Sequence, residues 1–363
     1  MHKIYLLLFI SYVIILALKS NDGFPTAMNH GNFFPYLVDK PFTEDGFYMM
    51  TVAWNIAEGN GIKYNLNRPT TGIQPLVTFI QAGVAKAVML FGGGKMEFLR
   101  VMIIFSSFML FLFSLVVGSI TKKIVPLFYS RTIVMLLVLF CFELSEYFSN
   151  GLETGFYLIL TGICIRYSIY FIEKPGYKQA FIFGLLSGIT ALTRVDFLLP
   201  LFVYLVILFV LKKTNIVRSI IVLITAVIIL FPWLIYVYSL TGSIYPSSVS
   251  SQTILISSLS FGERIYHITR SFLHHLTPFV YTYNLFISVG AVFIYGVILY
   301  YLIKRFRLFE AFEKASFNNV ITWGISFFIL GVTYFIYSSA QHFYIRYTTP
   351  FYLIILVITV CCL

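Results

Sequence analysis

The run GIQPLVTFIQAGVAKAVMLF, residues 72–91, decides how this chain is folded. It is long and apolar enough to pass for a membrane crossing, which takes roughly 17–25 such residues. If it crosses, every later loop changes sides. The cationic clusters that follow are Lys122-Lys123 with Arg131, Lys174 with Lys178, Lys212-Lys213 with Arg218, and Lys304-Arg305 with Arg307 and Lys314. All of them would then face outward. If the run stays on one side and the N-terminus is inside, all fall on the cytoplasmic face, where positive charge in short loops belongs. Gln74, Pro75, Gln81 and Lys86 interrupt the run as well. It is therefore read as an interfacial or re-entrant helix on the outer face.

Working outward, the candidate spans are 3–19, 99–119, 132–149, 154–172, 179–193, 197–211, 217–239, 282–303, 318–337 and 347–363. On that arrangement the inner side holds 14 of the 25 Lys and Arg and 3 of the 14 Asp and Glu, leaving 11 of each outside. The asymmetry is what the positive-inside rule asks for. The first run follows His2 and Lys3 and lacks a small-residue cleavage site near Lys19-Ser20-Asn21, so it is expected to be retained as a span.

Composition agrees. Hydrophobic residues make up 59% of the chain and charged ones 11%, against about 25% charged in soluble domains. The expected fold class is all-α: a polytopic transmembrane helical protein of about ten spans, forming a single integral membrane domain over 1–363. Two outer loops are long, 20–98 and 240–281, and the first is expected to hold two interfacial helices, about 47–58 and 74–91. A formal charge of +11 raises the question of nucleic acid. The basic residues punctuate apolar spans and form no continuous stripe, so no nucleic-acid partner is expected. Cys141, Cys164, Cys361 and Cys362 lie in apolar runs without metal-ligand spacing and read as packing residues.

Acidic residues are scarce, which makes Glu44-Asp45 informative. The pair heads a segment of helical apolar spacing, Phe47 to Glu58, followed by Gly59-Asn60-Gly61. A carboxylate there can serve as general base toward an incoming hydroxyl. When the leaving group is a lipid phosphate ester, one base and a few cations suffice. The plainer reading is a solvated turn whose acids suit a helix N-terminus. Arg100, Arg194 and Arg346 stand at span ends on the predicted outer surface, where a planar guanidinium fork fits phosphate; each is equally explained as snorkelling to headgroups. Lys63 and His267 are lesser candidates for the same work. Glu263, His267, Arg270 and His274 recur at four- and three-residue steps, so they share one helix face, with His275 beside it. They could hold a pyrophosphate or a metal, but the expectation is the wet face of an interfacial helix. Gly92-Gly93-Gly94-Lys95 lacks the spacing of a phosphate loop. There is no dinucleotide fingerprint, no H-E-x-x-H and no serine triad, so a nucleotide donor is not required.

The order of the motifs resembles the GT-C glycosyltransferases, nearest to bacterial arabinofuranosyltransferase-like and mannosyltransferase-like members. The resemblance rests on Glu44-Asp45-Gly46-Phe47, on Ala57-Glu58-Gly59-Asn60-Gly61-Ile62-Lys63-Tyr64-Asn65 and on Thr71-Gly72-Ile73-Gln74-Pro75-Leu76. It continues through Gly151-Leu152-Glu153-Thr154, Leu192-Thr193-Arg194-Val195-Asp196, Gly242-Ser243-Ile244-Tyr245-Pro246 and Arg346-Tyr347-Thr348-Thr349-Pro350. It implies an inverting transfer of a sugar from a polyprenyl-phosphate donor to a glycan, lipid or protein acceptor, on the extracytoplasmic face of the cell (inner) membrane. It implies a base among Asp45 and Glu44, with Glu44 standing where such pairs usually begin with Asp. It also implies donor-phosphate contacts at Arg194 and Arg346, to which Arg100 and His267 are added, and substrate contacts at Lys63, Tyr64 and Gln74. No cofactor is required; a divalent cation such as Mg²⁺ could be bound by the two carboxylates. Many relatives are longer, so this chain is expected to be a minimal or shortened member.

Two other readings stand beside it. A polymerase or ligase acting on lipid-pyrophosphate glycans would use Arg264, His267, Arg270, His274 and His275. A lipid-oligosaccharide flippase would place ionisable groups deep within spans, whereas here they gather at span ends. Tyr48, Trp54 and Tyr64 could stack on a sugar ring or serve packing alone.

Overall fold

The computed structural model describes residue 10 and residues 42–126, 130–139, 141–244, 260–278, 284–337 and 345–363. The expected first span, 3–19, and Tyr245 to Ser248 of the second outer loop lie outside them. Regular structure among the described residues is helical, with no strand; Lys63 and Pro69 form one isolated bridge. The helices are α1 (Glu44–Glu58), α2 (Pro75–Leu90), α3 (Lys95–Ile124), α4 (Arg131–Leu139), α5 (Phe142–Ser149), α6 (Thr154–Glu173) and α7 (Tyr177–Ala191). They continue as α8 (Leu198–Val210), α9 (Ile216–Thr241), α10 (Phe261–His275), α11 (Leu285–Phe306), α12 (Leu308–Ala311), α13 (Lys314–Tyr337) and α14 (Thr349–Cys362).

Five of these are long and apolar enough to cross a membrane: α3, α6 and α9, with Leu285–Arg305 of α11 and Lys314–Tyr334 of α13. By length and composition these helices are consistent with a multi-pass membrane protein. Over the expected span 132–149, α4 and α5 meet at 68°, the geometry of a broken span or a re-entrant loop. The break falls at Cys141, whose extended backbone (φ −77°, ψ 111°) starts α5 afresh. Hydropathy alone does not register such a break, because α5 keeps Leu144, Tyr147 and Phe148 buried alongside Glu143. Three other expected spans form shorter helices: α7 has 15 residues, α8 has 13 and α14 has 14.

The chain divides into two compact units: residues 1–114 with 138–156, and residues 115–137 with 157–363. In the first, α1 begins at Thr43, whose hydroxyl accepts the Gly46 N–H at 3.1 Å, and ends at Gly59, whose φ of 90° suits glycine. Pro75 opens α2, where a missing N–H costs nothing. Met50, Ala53, Trp54 and Ala57 of α1 pack with Ala82, Ala85 and Val88 of α2 and with Phe98, Leu99 and Met102 of α3.

In the second unit, Tyr204, Trp323 and Phe197 stack in sequence, with ring centroids 4.2 and 5.8 Å apart. Ser168 accepts hydrogen bonds from Asn319 Nδ2 (2.8 Å) and Trp323 Nε1 (3.0 Å), while Tyr204 donates to Asn319 Oδ1 (2.6 Å). These buried polar groups are mutually satisfied, as an apolar surround requires. Gly184 and Gly188 let α7 lie directly on α9: a Cβ on either would stand 2.6 Å from Thr225 or Ile229 and under 3 Å from a backbone oxygen. That small-x-x-x-small seam is a common way for helices to pair in lipid.

Helix ends gather in two sets. Lys123 meets Glu173 at 2.9 Å, and the Glu313 N–H meets the Ile124 carbonyl at 2.8 Å, joining the ends of α3 and α6 to the start of α13. Arg194, between α7 and α8, meets Tyr334 near the end of α13 and Tyr347 just before α14.

Candidate functional site

Thr43, Glu44 and Asp45 are exposed at the head of α1, and the backbone beneath them is held from the side. The Thr43 N–H and hydroxyl both donate to the Asn150 carbonyl, at 3.0 and 3.2 Å. Asn150 Oδ1 accepts the Leu152 N–H at 2.9 Å, and Gln81 Nε2 donates to the Gly151 carbonyl at 2.9 Å. Gly46 lies flat on this turn: a Cβ there would stand 2.1 Å from the Asn150 oxygen. Gly151, at φ 82°, faces it. The Asn150-Gly151 turn, at the start of the 151–154 motif, thus fixes the helix that carries the two carboxylates. Asn150 and Gln81 were missed as contributors, since neither has a chemical role of its own.

One turn along α1 from Glu44, at the i+4 position that shares its face, Tyr48 stacks on Tyr64 with centroids 4.7 Å apart. The Tyr48 hydroxyl bonds to Thr70, and Tyr64 is 50% exposed. Asn55 Nδ2 donates to the carbonyls of Lys63 (2.8 Å) and Tyr64 (3.0 Å), pinning the 60–70 loop onto α1. Lys63 and Tyr64 are therefore held beside the helix bearing Glu44 and Asp45. Gln74 is the residue before α2, and its carbonyl accepts from Thr78. Arg100 lies half-buried one turn after Glu97, and its Nε has no hydrogen-bond partner among the described residues. A cleft of ≈ 480 Å³ opens at the far end of α1, lined by Ala57, Glu58, Gly59, Phe79, Gly83 and Lys86. It is remote along the helix from Glu44.

Among the described residues no group of three or more His, Cys, Asp or Glu is placed to hold a metal. No chemical step is routed through a metal.

In the second unit, Arg194 is caged. Its Nη2 lies 2.7 Å from Asp196 Oδ2, with side chains 9% and 18% exposed, and the same nitrogen donates to the Tyr334 hydroxyl at 3.2 Å. Tyr334 in turn donates to Asp196. The guanidinium carbon lies 4.3 Å from the Tyr347 ring and 5.8 Å from that of Tyr157. A carboxylate already neutralises this cation. Arg346 stands next to Tyr347 in the chain and is half-buried.

No family model, no curated protein and no solved structure matches this chain.

The expected wet face of the 263–275 helix is overturned. His267, Ser271, His274 and His275 on α10 are all buried, at 6, 1, 2 and 0% exposure. His275 Nε2 bonds to the Thr348 hydroxyl at 2.7 Å, and the ring lies edge-on to Tyr352. Burial, then the charge of His274, hold its pKa well below the ordinary value. Burial and Arg270 also lower that of His267. Glu263 is spent on a capping box with Ser260, whose hydrogen bonds keep its pKa below the usual carboxylate range. Periodicity identified the polar face; nothing in a single sequence tells which way that face turns.

Proposed function

We propose that this chain is a membrane glycosyltransferase of the GT-C type, with about ten spans and with α1 and α2 lying along the extracytoplasmic surface of the cell membrane. It moves a sugar from a polyprenyl-phosphate donor to a glycan, lipid or protein acceptor. The observation that carries this reading is the head of α1: two exposed carboxylates on a backbone fixed by Asn150, Gly151 and Gln81, one turn from an accessible tyrosine stack. Aromatic faces beside carboxylates suit sugar rings and hydroxyls. α2 adds support, because Phe79 and Leu90 are apolar and exposed on either side of the exposed Lys86, while its 16 residues are short for a crossing.

In the proposed step, Glu44 or Asp45 takes the proton of the acceptor hydroxyl. That oxygen bonds to the anomeric carbon as the bond from the same carbon to the phosphate oxygen breaks. Polyprenyl phosphate departs with the electron pair, and the configuration inverts. Arg100, Arg194, Arg346 and His267 are assigned to the leaving phosphate, with Lys63, Tyr64 and Gln74 on the substrate side. Fixed donors in a dry site stabilise such charge without reorganising. The test is transfer from a labelled polyprenyl-phosphate sugar by purified protein. Glu44→Gln or Asp45→Asn is expected to lower turnover at least about a hundredfold while insertion is unchanged. Normal turnover in both single variants and in the double variant refutes the assignment.

A polymerase or ligase using lipid-pyrophosphate glycans is the second reading, favoured by the buried histidines of α10. It expects the larger losses at His267, Arg270 and His274.

A further inference from the structure

α10 is inverted relative to a helix of a water-soluble protein. Its outward residues Phe261, Ile265 and Tyr266 are 69, 44 and 42% exposed, while its histidines face in. In water this would cost apolar exposure and polar burial together. Against lipid tails the outward face is at home, and the inward one gives the protein interior a polar lining. The lining is poor in acids. Along Phe261–His275 there are two arginines and three histidines against one acid, Glu263, and that acid is exposed and spent at the N-terminal cap. Arg264 and Arg270 are half-buried at the flanks of the face.

The floor of this face is fixed. Phe272 packs on Phe328 and Phe351, tying α10 to α13 and α14, and His275 is bound to Thr348. Tyr352 donates to the Pro278 carbonyl at 2.9 Å, closing the segment that follows α10. Between these anchors the Thr277 hydroxyl is 1% exposed and has no hydrogen-bond partner among the described residues. A buried hydroxyl in that state has hydrogen-bonding capacity to give to a ligand oxygen.

We infer that the inward face of α10 is an anion seat, in which His267, Arg270 and His274, with Thr277, receive a phosphate or pyrophosphate group. Neutral imidazole and hydroxyl donate hydrogen bonds, and guanidinium supplies charge and a planar fork. The inference deepens the transferase reading and rests on it only for the identity of the natural ligand. It shifts the main phosphate contact from Arg194, which Asp196 occupies, to α10. The shared chemistry is a phosphate anion, either free or on a lipid headgroup.

The experiment uses the full chain in phosphatidylcholine nanodiscs. One arm titrates inorganic pyrophosphate by calorimetry. The other adds phosphatidic acid to the nanodiscs and counts the molecules retained, by native mass spectrometry. Arg270→Gln and His274→Gln are each expected to weaken whichever probe binds by roughly tenfold or more, Arg270→Lys to restore part of the loss, and the exposed-site control Lys178→Gln to change nothing. Loss confined to pyrophosphate assigns a free phosphate; loss confined to phosphatidic acid assigns a headgroup. Wild-type protein that binds neither probe overturns the inference, as does binding that survives both substitutions. If those variants do not fold, His267→Gln and Thr277→Val decide by the same criterion. Sugar transfer is not read, so failure here is distinct from failure at Glu44 and Asp45.

Discussion

Replacing Gly46 with alanine tests the clamp beneath the carboxylates. The new Cβ would stand 2.1 Å from the Asn150 oxygen, 3.1 Å from the Asn150 carbonyl carbon and 3.2 Å from the Gly151 Cα. All three are backbone atoms, so no side chain can swing aside. Overpacking of this kind costs about 1–3 kcal/mol. If the turn retreats, the two hydrogen bonds from Thr43 to Asn150 are weakened as well, at about 0.5–1.5 kcal/mol each. Alanine gains at most about 1 kcal/mol in helix propensity over glycine. The clash wins, and the expected net loss is about 2 kcal/mol. Gly83 in α2 is the matched control, because a Cβ there meets nothing within 4 Å; Gly83→Ala is expected to stabilise by up to about 1 kcal/mol. Denaturation of the purified protein in mixed detergent micelles measures both, and transfer by Gly46→Ala is expected to fall alongside its stability. If Gly46→Ala is as stable as the parent, α1 does not rest on the 150–151 turn and the reasoning fails.

Arg194→Ala strands the Asp196 carboxylate in a mostly buried site and should cost about 3–5 kcal/mol. The double change Arg194→Met with Asp196→Leu should recover most of that; thermal melting of the three variants decides, and an unaltered single variant would contradict the cage. For His275 the sign follows from its lowered pKa. The unfolded chain takes up the proton first, near 6.5, so the stability is complete above that pH and declines as pH falls below it toward the depressed folded value. Melting followed from about pH 7.5 to about pH 5 should show this decline, and His275→Gln, which keeps a polar contact to Thr348, should flatten it.

Much of the first unit was legible from the sequence because its signals are local. Acids before an apolar period, followed by Gly59, marked a helix expected at about 47–58 and now bounded at Glu44 and Glu58, and the apolar run marked the next, expected at about 74–91 and bounded at Pro75 and Leu90. Contacts between distant segments were not legible. Gly46 and Gly151 stand far apart in the sequence, and only the fold brings them face to face. Gly184 and Gly188 likewise passed as unremarked residues of an apolar run until α9 was laid against them. At Cys141 an apolar window hid a change of direction, since hydropathy reports affinity for lipid and says nothing of backbone angles. On α10 the polar stripe was found but assigned to water. Amphipathic spacing is the same whether a helix floats on a surface or lines an interior, and only its neighbours distinguish the two.

The bond from the Glu313 amide to the Ile124 carbonyl bears on how the chain is made. A helix end in an oily medium needs its last carbonyls occupied, yet the donor for this one is synthesised far later. While the ribosome delivers the intervening helices, the α3 terminus must be tended by water or by the insertion machinery. Unit two therefore locks late in biogenesis, when α13 arrives, and nascent chains halted before residue 313 should remain open to protease at that end.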